Sequence, residues 1–233
     1  MSEINNGILG KMTGSIGNIT GKVRNGKNIL ALKPASFNAA SDPDSIARRE
    51  RFAMAVKFAK AVNDLTTLKT LWQKVTPAAL SSFNYIVKTN YPSFLNGVFS
   101  TATTITPLLG FPASTSSAEL TQNGISFAVN PLANAYDFDL SLETKLKPVI
   151  LLSFANPGNL ALESSQFISV EVPANNFVAN DPVTFSTTFN DYIKSLFENY
   201  SSRSALVALV TLDNNSLLCK FLTNNYYLIV KYW

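Results

Sequence analysis

The chain contains no histidine and only one cysteine among its 233 residues. Without histidine, the commonest general base and metal ligand are missing, and so is every Ser-His or Cys-His dyad. A single cysteine, Cys219, can form neither an intrachain disulfide nor a thiolate cluster, and its apolar surroundings predict a buried structural thiol. The sequence therefore predicts a protein that is not an enzyme, with no catalytic residue, no metal site and no cofactor.

Long apolar runs are also absent. No stretch of 18 residues is apolar enough to span a bilayer, and glycine, asparagine and lysine interrupt the first apolar residues, which argues against a signal peptide. We therefore expect no membrane span and a protein made in a cytoplasm. Sixteen Phe, eight Tyr and a hydrophobic fraction of 46% exclude a wholly disordered chain.

Charge is scarce, at 15% of residues, and unevenly placed. Residues 1–95 carry 13 Lys and Arg against 5 Asp and Glu, a net charge of +8, whereas residues 96–233 carry 6 against 10, a net charge of −4. Opposite signs in the two halves indicate two functional surfaces. The basic half would meet an anionic partner, or the acidic half of an identical subunit packed head to tail.

Glycine is abundant at the start of the chain, in a basic arm that we assign to residues 1–36. Six glycines lie between Gly7 and Gly26, too many for a helix, since each costs roughly 1 kcal/mol there. The Asn-Gly pair at 25–26 predicts a hairpin that joins residues 19–23 to residues 28–32. The candidate assembly residues of this arm are Gly10, Gly14, Gly17, Gly21, Lys22, Arg24, Gly26 and Lys27.

A helical segment is predicted over residues 37–96. Ser41-Asp42-Pro43 reads as an N-cap followed by proline at the first helical position, and further helices are predicted from about Asp64 and after Thr76-Pro77. The three helices should pack as a small bundle or hairpin. In the first helix, the inward stripe would be Phe52, Ala55, Val56, Ala59 and Val62. Its cationic face is Arg48, Arg49 and Arg51, which either faces solvent or contacts nucleic acid or an acidic neighbour.

Residues 97–233 have the pattern of a β-rich domain with many short strands and turn clusters. The strands are predicted at 101–108, 118–129, 135–142, 148–154, 160–164, 167–172, 206–212, 217–222 and 226–232, with a crossover helix over 189–200. The predicted fold class is α+β, with the arm and short helices followed by an immunoglobulin-like β-sandwich. Asp137 and Asp139 would share one face of a strand, which leaves open an acid/base or metal pair, although a solvated face is the simpler interpretation.

The opening of the chain resembles an uncharacterised family from Bacteroidota and their phages, known only as a domain of unknown function. The resemblance rests on Gly7-Ile8-Leu9-Gly10, Gly14, Gly17-Asn18, Gly21, Arg24-Asn25-Gly26-Lys27, Pro34, Arg48, Arg51-Phe52-Ala53 and Ala55. Ala31 and Leu32 stand near the place where the family has a second arginine. A weaker resemblance to the same family extends over residues 149–158, 205–214 and 226–230. The resemblance implies repeated structural modules of the secreted or virion type rather than metabolic enzymes.

These observations favour a structural or assembly protein of a phage particle, in a tail, neck ring or capsid-associated position. It would oligomerise with itself or with neighbouring virion proteins by adding its arm to a neighbour's sheet. The alternative is a nucleic-acid-binding protein whose arm and first helix contact phosphates. A carbohydrate-binding or adhesion module is a further option, by analogy of fold alone.

Overall fold

A computed structural model gives the fold of the chain. It describes residues 2–4 (backbone alone), 13–24, 26–36, 38–94, 102–107, 113–132, 139 and 141–215. Contacts divide the chain into two compact units, Met1–Ile46 and Ala47–Trp233. The three-part division drawn from the sequence remains a prediction.

The described residues form antiparallel sheets and four α-helices, so the expected mixture of short helices and antiparallel strands is confirmed at this level. The strands are β1 (Ser2–Ile4), β2 (Gly14–Ile16), β3 (Ile19–Arg24), β4 (Lys27–Leu32), β5 (Thr115–Leu120), β6 (Gly124–Val129), β7 (Lys145–Pro157), β8 (Ser165–Glu171), β9 (Asn175–Asn176), β10 (Val183–Thr188) and β11 (Tyr200–Leu212). The helices are α1 (Pro43–Asp64), α2 (Thr66–Val75), α3 (Ser82–Asn90) and α4 (Asp191–Asn199), with a 3-10 turn at Tyr91–Ser93.

The first unit is a four-stranded sheet in the order β1-β4-β3-β2. The predicted hairpin is present as β3 and β4, with Arg24 opposite Lys27 across a two-residue turn. Gly26 has a φ of 77°, a value that suits glycine in this kind of turn. The arm is therefore not a single extended strand, because its own strands pair with one another.

The second unit is built on a sheet in the order β11-β7-β8, with β9 also paired to β7. β7 and β11 lie antiparallel over 13 residues each, with Leu151 opposite Leu206 and Leu152 opposite Ala205. Since side chains alternate across a strand, these two pairs point to opposite faces. Both faces are buried, which explains why the central parts of both strands read as continuous apolar runs.

Three helices cover one face of this sheet. Side chains of α1, α2 and α3, among them Phe58, Leu68 and Ile86, join Leu151 and Leu206 in one buried cluster. The expectation that the three helices pack as a small bundle or hairpin did not include the sheet, against which the helices bury their apolar stripes. α1 begins as expected: Asp42 accepts a hydrogen bond from the Ser45 amide (2.8 Å), and the Ser45 hydroxyl and amide lower the pKa of Asp42.

The opposite face of the sheet packs against a second sheet, in the order β10-β6-β5, and against α4. Phe127 and Phe185 of that sheet belong to the same buried cluster as Leu152 and Phe154 of β7. The predicted crossover helix is confirmed as α4, between β10 and β11, with Asn190 capping it by accepting a hydrogen bond from the Ile193 amide (2.9 Å). These contacts place side chains of two sheets in one core.

Two details of the predicted helices were wrong. Phe52 does not face inward, since it is 55% exposed, whereas the buried side of α1 is formed by Met54, Ala55, Phe58, Ala59, Ala61 and Val62. The third helix does not start after Pro77. Residues 77–80 form a turn, and α3 begins at Ser82, with the Ser81 hydroxyl accepting from the Asn84 amide (3.2 Å).

The predicted strands over 101–108 and 160–164 were wrong where the structure describes them. Residues 102–107 lie in no strand, because side chains satisfy their backbone: Trp72 Nε1 donates to the Ile105 carbonyl (2.9 Å), and Asn90 Oδ1 accepts from the Thr104 amide (2.7 Å). Residues 160–164 form turns. The sequence did not predict the strands β9 and β10. The predictions for 217–222 and 226–232, for Cys219 and for most of 135–142 fall outside the described residues.

Phe58 and Phe52 provide a matched test of this packing. Phe58 is fully buried, with ring centroids 5.4 Å from Phe94 and 5.8 Å from Phe167. We expect Phe58→Ala to lower the free energy of unfolding by about 3–5 kcal/mol. Phe52→Ala should cost less than about 1 kcal/mol. Denaturant unfolding followed by tryptophan fluorescence measures both. Equal losses would contradict the assignment of the buried side of α1.

Candidate assembly surface

The sheet of the first unit has two chemically different faces. In antiparallel sheets, residues directly opposite each other point to the same side. Ile16 is opposite Ile19, and Ile19 is opposite Leu32, so these three share one face. The other face carries Lys22, Arg24 and Lys27 by the same rule, since Arg24 is opposite Lys27 and Lys22 lies two residues before Arg24.

The first face presents apolar side chains to solvent. The exposed fractions of Ile16, Ile19 and Leu32 are 79%, 45% and 77%. We call these three residues the apolar row. Single exposed apolar side chains are ordinary, but a set that lies side by side across three strands is a candidate interaction surface. The apolar row was not predicted from the sequence. The alternation of residues 19–23 and the two-residue turns would have indicated which side chains share a face.

The second face is cationic. Lys22, Arg24 and Lys27 are exposed, and we call them the cationic face. Arg24 and Lys27 are cross-strand partners, and like charges in that position repel each other. The structure thus brings together three of the sequence-predicted basic residues.

The glycines of the arm serve its turns. Gly14, Gly17 and Gly26 have φ values of 109°, 54° and 77°, a region that other residues avoid. A Cβ added at any of these three would meet no atom within 4 Å, so backbone strain, rather than a close approach within the chain, accounts for glycine there. Gly21 is paired with Gly14 in the sheet, and Gly10 lies outside the described residues.

The edges of this sheet are β1 and β2. β2 pairs only with β3 in the described chain, and its residues Gly14, Ser15 and Ile16 are exposed. An exposed edge strand can accept a further strand from another chain. β2 ends at Ile16, the first residue of the apolar row.

The three residues of the predicted basic helix face differ in exposure. Arg48 and Arg49 are exposed on α1, whereas Arg51 is half-buried, with its guanidinium carbon 5.7 Å from the centroid of the Tyr91 ring. The cation–π contact commits part of Arg51 to its own unit. Arg51 is therefore less exposed than its two neighbours in the predicted face.

The acidic pair suggested from the sequence is not formed by the described residues. Asp137 lies outside them, and Asp139 lies in no strand. Its carboxylate accepts hydrogen bonds from the amide and hydroxyl of Ser141, and its own amide donates to Glu143 (2.8 Å). Among the described residues, no three His, Cys, Asp or Glu side chains converge as metal ligands. None of the described helices is long and apolar enough to cross a membrane.

Comparisons with known proteins give little further information. No protein-family model matches the chain, and no curated protein does. Two solved structures of a β-glucosidase from Kluyveromyces marxianus are similar to it at 14% identity, with TM-scores of 0.18 and 0.19. The matches cover 52% and 65% of this chain but only 14% and 24% of those chains. Likeness at this level carries no argument about fold or activity.

The arm's turns can be tested with Gly26→Ala. Because Gly26 has a φ of 77°, alanine there should destabilise the β3–β4 hairpin by roughly 1 kcal/mol. Amide hydrogen exchange of residues 19–32 should then accelerate about fivefold. Gly158→Ala is the control, since its φ is not positive and an added Cβ meets only the Asn199 carbonyl oxygen at 3.7 Å. Unchanged exchange in Gly26→Ala would show that the turn does not depend on glycine.

Proposed function

We propose that this protein is a non-enzymatic assembly protein that forms homo-oligomers through its N-terminal sheet. The observation that carries the proposal is the apolar row, Ile16, Ile19 and Leu32, which lies across three strands and faces solvent. Burying such side chains contributes about 25 cal/mol for each Å² removed from water. A neighbouring subunit that covers the row would gain this free energy.

Charge supports the same proposal and suggests the neighbouring surface. The cationic face lies in the basic part of the chain, residues 1–95, whereas residues 96–233 carry a net charge of −4. Exposed acids in that region include Glu119, Asp181 and Glu198. A head-to-tail contact would bring the cationic face of one subunit to such acids of the next, and the edge strand β2 could add to a sheet there.

We further propose that the setting is a phage particle, in a tail, neck ring or capsid-associated position. The support is the resemblance of the glycine-rich opening and of Arg48 to Ala55 to the uncharacterised family of Bacteroidota and their phages. We also propose that β5, β6 and β10 form a sandwich, of the immunoglobulin-like type, with β7, β8 and β11. The shared cluster of Phe127, Phe185 and the side chains of β7 supports this arrangement. The protein would then be located in the virion after synthesis in the host cytoplasm.

The test is the mass of the protein in solution, measured by size-exclusion chromatography with light scattering. We expect the full chain to have several times the 25.4 kDa mass of one subunit. The double variant Ile16→Ser, Leu32→Ser should be monomeric, because serine removes most of the apolar area of the row. A truncated chain of residues 37–233 should also be monomeric.

The matched control is the double variant Leu160→Ser, Val178→Ser. These two side chains are 100% and 60% exposed but lie in the second unit. The control should keep the mass of the wild type. A wild type that runs as a monomer, or an oligomer that survives Ile16→Ser, Leu32→Ser, would refute assembly through this surface.

A second candidate function is nucleic-acid binding, favoured by the cationic face. Lys22, Arg24 and Lys27 on one side of a hairpin could contact successive phosphates. On the first helix, Arg48 and Arg49 are exposed and could add to this contact, whereas Arg51 is half-buried beside the Tyr91 ring.

Salt dependence distinguishes this candidate from assembly. If the cationic face contacts phosphates, DNA affinity should fall steeply with salt, and Lys22→Gln, Arg24→Gln, Lys27→Gln should reduce the log–log slope by about 0.9 per lost contact. The control replaces three exposed lysines of the helices, Lys60, Lys69 and Lys88, by Gln. Fluorescence anisotropy with duplex DNA measures both slopes. Equal slopes in the two triple variants would exclude the cationic face as the binding surface.

A further inference from the structure

The edge strand β2 has an outward backbone side whose direction follows from its register. Residues 17–18 form a two-residue turn between Ile16 and Ile19, so Ile16 and Ile19 exchange ladder hydrogen bonds with each other. Hydrogen-bonded and non-hydrogen-bonded pairs alternate along an antiparallel ladder. The N–H and C=O groups of Ser15 therefore point away from β3. Ser15 offers one donor and one acceptor to a further strand.

The residues of β2 do not protect this edge from pairing. Protected edge strands carry charged side chains or proline, which prevent another strand from adding. β2 consists of Gly14, Ser15 and Ile16, which are uncharged and exposed. The cationic face lies on β3 and β4, so a second copy that pairs with β2 brings no like charges opposite one another.

β2 is complementary to itself when two copies pair antiparallel. With Ser15 opposite Ser15 of the second copy, these two residues exchange both ladder hydrogen bonds. Ile16 of each copy is then opposite Gly14 of the other. A Cβ added at Gly14 would meet no atom within 4 Å, so the space beside Gly14 is open to the Ile16 side chain. Symmetry makes this contact twice.

The same pairing brings the apolar rows of the two copies together. A two-fold axis perpendicular to the sheet keeps the same face of both copies on one side. Ile16 of one copy then lies diagonal to Ile16 of the other, at about 7–8 Å, within reach of long side chains. The four strands of each copy form one sheet, with both apolar rows on one face and both cationic faces on the reverse.

We propose that the strand partner of β2 is β2 of a second copy of this chain, in a two-fold antiparallel pair centred on Ser15. The inference rests on the proposed assembly function and selects the partner of its edge strand, a second β2 rather than a strand of the second unit. Three residues make a short contact, so the pairing sets the partner and the register. Burial of the joined apolar rows by a further subunit supplies most of the stability.

Cysteine cross-linking tests the register directly. In the full chain with Cys219→Ser, the Cα atoms of two Ser15→Cys residues would lie about 5.5 Å apart, within the range for a disulfide. Oxidation with diamide should convert most of this variant to a covalent dimer on a non-reducing denaturing gel. Thr20→Cys is the matched control, because Thr20 is opposite Ser15 but lies on β3. Its two copies would be three strand spacings apart, about 14 Å, and should not cross-link.

Ser15→Pro removes the outward N–H without removing a hydrogen bond to β3, since proline is accepted on an edge strand when its nitrogen faces outward. The concentration at which half of the oligomer dissociates, measured by light scattering on dilution, should rise at least tenfold. Ser15→Thr keeps the N–H and should match the wild type. Amide hydrogen exchange of residues 19–32 should be equal in both variants, which checks that the hairpin is intact.

Three results overturn this inference and leave the proposed assembly function standing. The wild type is oligomeric but Ser15→Cys gives no covalent dimer, Thr20→Cys cross-links as fully as Ser15→Cys, or Ser15→Pro assembles like the wild type. Dissociation of Ser15→Pro without cross-linking of Ser15→Cys would assign β2 to a different strand. A wild type that is monomeric refutes both the inference and the assembly function.

Discussion

The second unit depends on the pairing of β7 with β11. Their register places Leu151 and Leu206 on the side of the helices, and Leu152 and Ala205 on the side of the second sheet. One strand pair thus supplies side chains to two separate cores. A shift of the register by one residue would exchange the two sets, so both cores require the same alignment. This is why neither α1–α3 nor the second sheet is best understood as an independent layer.

The elements that the sequence predicted are those that depend on residues close together in the chain. The β3–β4 hairpin followed from Asn25-Gly26, and α4 from helical spacing between Phe189 and Phe197. The sequence predicts strands over 148–154 and 206–212, which are shorter than the observed β7 and β11. The ladder extends to 13 residues in each because pairing continues through polar ends, such as Lys145 opposite Leu212, which apolar periodicity does not detect.

Errors arose where tertiary contacts decide the outcome. Phe52 was assigned inward from spacing alone, yet the buried side of α1 is set by Phe58, which fits between Phe94 and Phe167. The sequence predicted the cationic residues of the candidate assembly surface but not its apolar row. Composition drew attention to glycine and lysine, whereas the row appears only when the cross-strand register is known.

The distance along the chain between β7 and β11 has a consequence for biosynthesis. About 40 residues separate Pro157 from Tyr200, and β8, β10 and α4 are translated between them. During that interval β7 has not yet paired with the strand that completes its buried sheet, and its apolar side chains are only partly covered. Such exposed strands associate readily with other chains. A newly made chain is therefore exposed to association with other chains through β7 while this stretch is being synthesised.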